Sequence, residues 1–68
     1  MQMYNFDFMK NDSPKPIETV HRLAKTLAHA KNYCANLYHT RGAALGADKV
    51  QMRENGGSEV KYTWSAND

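Results

Sequence analysis

Val50-Gln51-Met52-Arg53-Glu54-Asn55-Gly56-Gly57-Ser58-Glu59-Val60-Lys61-Tyr62-Thr63-Trp64 sets two alternating runs on either side of an Asn-Gly-Gly turn. Val50 and Met52 alternate with Lys49, Gln51 and Arg53, and Val60, Tyr62 and Trp64 alternate with Glu59, Lys61 and Thr63. A period of two is the pattern of a half-buried strand. Asn55-Gly56 supplies the positive φ angles that a primed hairpin turn needs, and Gly57 allows a bulge. The stretch predicts a β-hairpin with strands over 48–54 and 58–64. Ser65 to Asp68 reads as a frayed tail.

Working back from the hairpin, residues 14–41 read as one long helix. At about 100° per residue, Val20, Leu23, Leu27, Cys34 and Tyr38 fall in one stripe, with Ala24 and Ala30 beside it. Glu18, His21, Arg22, Lys25, His29, Asn32, Asn36 and His39 lie opposite. Ser13 is placed to cap this helix, with Pro14 at its first position. Gly42 suits its end, although Leu45 also lands on the stripe. Before it, Tyr4, Phe6 and Phe8 alternate with Asn5 and Asp7, which predicts a strand over 3–9. Asn11-Asp12-Ser13-Pro14-Lys15-Pro16 ends that strand, because proline cannot donate to a ladder.

The order strand, helix, strand, strand predicts an α+β fold of βαββ type. One long helix packs on a three-stranded antiparallel or mixed sheet, in a single domain over 1–68. The expected core is Tyr4, Phe6 and Phe8, then Val20, Leu23, Leu27, Cys34 and Tyr38, then Val50, Met52, Val60, Tyr62 and Trp64. The other sheet face would carry Asn5, Asp7, Lys49, Gln51, Arg53, Glu59, Lys61 and Thr63.

Lengths then conflict. A helix of roughly 26 residues is about 40 Å long, whereas a seven-residue strand is about 23 Å. Either the helix breaks near Asn32 in a compact monomer, or the C-terminal part of the stripe, Cys34, Leu37, Tyr38 and Leu45, overhangs the sheet. A chain of 68 residues hides only roughly 60% of its unfolded surface, so oligomerisation is a common remedy. A homodimer covering those four residues is the expected assembly.

Charge is uneven. The formal net charge is +2, but residues 14–41 hold Lys15, Arg22, Lys25, Lys31 and Arg41 against Glu18, while each flanking segment is net negative. His21, Arg22, Lys25, His29, Asn32 and Asn36 would share one helix side. Arg and Lys can meet phosphates, and Asn and His can meet base edges, so nucleic acid is a possible partner. The plain alternative is a solvated helix face.

The residues argue against catalysis. Cys34 and His29 are five apart on the expected helix, about 140° around it, and cannot exchange a proton directly. His21, His29 and His39 are too widely spaced to chelate one ion. Asp7, Asp12 and Glu18 fall on different elements with no reason to converge. Gly42-Ala43-Ala44-Leu45-Gly46 follows a helix rather than a strand and so lacks the context of a phosphate loop. No cofactor and no small-molecule substrate are expected. No apolar run approaches the roughly 20 residues of a membrane span. A lone cysteine and an N-terminus unlike a secretory signal point to the cytoplasm. The resulting expectation is a small non-enzymatic regulatory or inhibitory protein that binds another protein, with nucleic-acid binding as the alternative.

Overall fold

A computed structural model describes residues 1–11 and 13–66. Six elements follow in order: β1 (Gln2–Met9), β2 (Glu18–Ala24), the helix α1 (Leu27–Leu37), a π-helical turn (Tyr38–Gly42), β3 (Lys49–Glu54) and β4 (Val60–Ser65). The four strands form one antiparallel sheet in the order β2-β1-β3-β4. The α+β class stands, but the sheet has four strands, not three.

The extra strand is the first half of the expected helix. Glu18–Ala24 pairs along β1, with Val20 opposite Phe6 and Arg22 opposite Tyr4. Ile17, Thr19 and Val20 are β-branched and pack well on a pleated surface. The strand alternation here splits the supposed stripe: Val20 shares the face of Phe6, while Leu23 points to the other face and is 50% exposed. The aromatic surface of Tyr4, Phe6 and Phe8 gives Val20 its partner, and this tertiary pairing overrides a 3.6-residue pattern that happens to fit.

The helix therefore starts later. Thr26 is its N-cap, and its side chain accepts from the His29 N–H at 3.0 Å. Ser13 caps nothing; its hydroxyl contacts the Lys15 backbone inside the 13–17 loop. At the other end the chain widens into the π-helical turn, with the Ala43 N–H donating to Tyr38 C=O at 2.8 Å. Gly42 is buried there against Phe8. A Cβ at this position would sit 3.2 Å from both the Phe8 and Tyr38 rings, so any side chain would push on two rings packed against the turn.

The core lies between α1 and one sheet face. Phe6, Phe8, Val50, Met52 and Cys34 are fully buried, with Tyr4, Ala24, Ala30, Leu37 and Ala47 around them. Val20, Tyr33, Tyr38, Leu45, Tyr62 and Trp64 pack on its margin. Leu23, Leu27 and Val60, expected inside, are 50%, 40% and 43% exposed. Leu27 opens α1 and precedes its buried side, and Val60 follows a register shift that turns it to the uncovered face.

The hairpin is present in a looser form. Gly57 N–H donates to Glu54 C=O at 2.9 Å, and of the two central residues only Gly56 has a positive φ, +85°. This is not the primed two-residue turn, because five residues separate the strands. The irregularity falls between Met52 and Arg53 rather than at Gly57. The tail expected to fray begins inside β4, and Ala66 N–H donates to Asp48 C=O at 3.0 Å. Positions 67 and 68, like Asp12, lie outside the described residues.

Candidate functional site

The second face of the sheet has no helix over it. Met3, Asn5, Asp7 and Met9 of β1 point there, flanked by Thr19, His21 and Leu23 of β2 and by Lys49, Gln51 and Arg53 of β3. Asn5 and Asp7 are nonetheless only 4% and 7% exposed. Their neighbours shield them and satisfy them. Buried polar groups without partners are costly, so this network fixes how the face is arranged.

Asp7 is its hub. Thr19 Oγ1 donates to Asp7 Oδ1 at 2.6 Å, and Arg53 donates from Nε to Oδ2 at 2.8 Å and from Nη2 to Oδ1 at 3.3 Å. Arg53 Nη1 also donates to Gly57 C=O at 3.0 Å, tying the hairpin loop to the centre of the sheet. Donating to the Asp7 carboxylate holds the Arg53 guanidinium above its ordinary pKa. One strand position away, His21 Nδ1 lies 2.5 Å from Asn5 Oδ1. This hydrogen bond satisfies the buried Asn5 side chain.

Next to this network the face is hollow. A cleft of about 330 Å³ has Asp7, Gln51 and Arg53 in its floor, Pro14 and Pro16 on one side, and Ser58 and Val60 on the other. Three of the five guanidinium N–H donors of Arg53 are engaged. Arg53 and Gln51 bring polar groups to a cleft that Met9, Pro14, Pro16 and Val60 line with apolar ones.

The expected basic helix face is divided. His21 and Arg22 belong to β2 and point to opposite faces of the sheet, and Lys25 sits in the turn before α1. His29, Asn32 and Asn36 do lie exposed along α1. His29 stacks on Tyr33 with ring centres 5.3 Å apart, and Tyr33 meets Phe6 edge-on at 6.1 Å. The four residues expected at a dimer contact are placed differently from that expectation. Cys34 and Leu37 are buried in the core, and Tyr38 and Leu45 pack on its margin. The helix has eleven residues, and these four side chains pack in or against the core of their own chain. Burial pushes the Cys34 thiol up to about 11, so it is not a thiolate at neutral pH.

Among the described residues, no three of His, Cys, Asp and Glu come together as metal ligands. No helix is long and apolar enough to cross a membrane among them. In the sequence, Asp7, Gln51 and Arg53 read as an ordinary polar face. The missing signal is the second flanking strand: without β2, Asp7 has no Thr19 and Asn5 has no His21. No family model, no curated protein and no solved structure matches this chain.

Proposed function

We propose that this protein is a small non-enzymatic regulator or inhibitor that acts by binding another protein, and that the partner docks in the cleft on the uncovered sheet face. The occupant is an extended segment that places an apolar side chain between Pro16 and Val60 and an acceptor oxygen on the free N–H groups of Arg53. The observation that carries this reading is the pre-organised Asp7–Arg53 pair beside that cleft. The partner then meets a guanidinium whose geometry is already fixed, which lowers the ordering cost of binding. The buried thiol fits a reducing compartment, and we assign the protein to the cytoplasm on that ground.

Nucleic-acid binding is the second reading, supported by the exposed line of His29, Asn32 and Asn36 with Lys25 near its start. The two readings use opposite faces of the molecule. A photo-crosslinking side chain at Ser58 reports on the cleft, and one at Asn36 reports on the helix. In an extract of the source organism, Ser58 should give a discrete protein adduct that Val60→Asp removes. A nucleic-acid adduct from Asn36, with none from Ser58, would put the helix face first and overturn the cleft assignment.

A further inference from the structure

The outer edge of β2 has no neighbouring strand among the described residues, and its chemistry matches itself. The backbone directions follow from two hydrogen bonds. Asn55 N–H donates to Met3 C=O at 3.1 Å, so odd-numbered residues of β1 face β3 and even-numbered ones face β2. Phe8 C=O accordingly accepts on the β2 side, from Ile17 N–H at 2.8 Å. Glu18, Val20 and Arg22, opposite Phe8, Phe6 and Tyr4, therefore turn their backbone groups to β1. Thr19, His21 and Leu23 turn theirs outward. Arg22 Nη1 donates to the His21 carbonyl at 2.8 Å, which puts a side chain where a neighbouring strand's N–H would stand.

We propose that two copies of this chain pair antiparallel along β2, with Val20 opposite Val20 at the two-fold axis. In that register the outward-facing Thr19 of one copy forms a hydrogen-bonded pair with His21 of the other. Glu18 of each copy then lies opposite Arg22 of the other, an opposite-charge cross-strand pair. Glu18 also accepts from Arg41 of its own chain, and its two carboxylate oxygens have lone pairs for both guanidinium groups. Ile17 and Leu23, which are 43% and 50% exposed in the single chain, come to lie opposite each other on the uncovered face. Moving the register by two residues sets Glu18 opposite Ala24 or opposite Val20, and the charge pairing is lost. The β4 edge offers no such match. Lys61 is the only charged residue of Val60–Ser65: centred on Thr63 the strand sets it opposite Ser65, centred on Tyr62 opposite Thr63, and centred on Lys61 it sets like charges together. In the β2 dimer, Arg22 exchanges its bond to the His21 carbonyl for Glu18 of the other copy, and that carbonyl takes the Thr19 N–H instead.

The product is a continuous eight-stranded sheet with both helices on one side. The two uncovered faces become a single surface, so any partner of the cleft meets it twice. This pairing does not depend on the cleft having a partner. So short a ladder buries less than the roughly 1,200 Å² of a standard interface, and self-association is expected at about micromolar to submillimolar concentration.

The register is tested by disulfide capture. Residues facing each other in a pair that is not hydrogen-bonded have Cα atoms about 4.5 Å apart, within disulfide reach. Val20→Cys is predicted to give a covalent dimer under mild oxidation at about 0.5 mM, at least about tenfold faster than Thr63→Cys at the centre of β4. Sedimentation of the unmodified protein over the same range should show the mass rising from 7.7 kDa toward twice that value. Arg22→Glu sets like charges opposite each other on both sides of the axis and leaves the β1 ladder and the His21–Asn5 bond in place, and should hold the mass at the monomer value with the fold kept by circular dichroism. A monomer mass for the unmodified protein at 1 mM, or capture at Thr63 equal to or faster than at Val20, would overturn the proposal.

Discussion

Asp7 shows how one residue organises a whole face. It sits at the centre of the middle strand and takes hydrogen bonds from β2 through Thr19 and from β3 through Arg53. Removing its charge leaves the half-buried Arg53 guanidinium without its counter-charge and with one acceptor oxygen fewer. Asp7→Asn is expected to cost about 1–2 kcal/mol in urea unfolding, and a double-mutant cycle with Arg53→Met should show coupling of similar size. Additivity of the two changes would mean that the ion pair is geometric only. Cys34 makes a second residue-scale test. Its thiol is pushed up to about 11 by burial, from an ordinary 9.0. Between those values the unfolded chain releases a proton that the folded chain keeps. Stability should therefore fall as pH rises through that window, by up to about 1.4 kcal/mol per pH unit, and Cys34→Ala should remove that slope. An unchanged slope in the variant would show that other groups carry it.

At the scale of elements, most boundaries are legible in the sequence and one segment is not. The aromatic alternation of Tyr4, Phe6 and Phe8 and the runs around Asn55-Gly56 are readable because a period of two fits a half-buried strand and does not fit a helix. Residues 18–24 are not, because Val20, Leu23 and Leu27 fit a helical stripe by spacing alone. The competing local signals are the β-branched Ile17, Thr19 and Val20 and the capping threonine at 26. Once Thr26 is the N-cap, nothing before it can be helix in the same segment. Thr26→Ala should cost about 1 kcal/mol, read as a lowered urea midpoint, and loosen the first turn of α1 as seen by faster amide exchange at His29. An unchanged midpoint would mean that packing alone positions that helix. The same ambiguity hides the site. The polar side chains of the uncovered face are visible in the sequence, but their partners Thr19 and His21 fall in the segment whose spacing mimics a helix. The cleft in turn lies between the 13–17 loop and the hairpin loop, segments far apart in sequence whose placement no local pattern encodes.

For the whole molecule, the strand status of residues 18–24 decides nearly everything. It widens the sheet to four strands, shortens the helix so that Cys34 and Leu37 fit inside, completes the Asp7 network and creates the free edge. The most direct measurement is the nuclear Overhauser pattern of this segment in solution. Asn5 with His21 and Asp7 with Thr19 are the pairs in which the two strands exchange no backbone bond, so their α-protons stand close together. Strong α-proton contacts between Asn5 and His21 and between Asp7 and Thr19 are the predicted result. Sequential amide–amide contacts running unbroken from Glu18 into Leu27, with no contact to Asn5 or Asp7, would restore the long helix and contradict both the site and the edge.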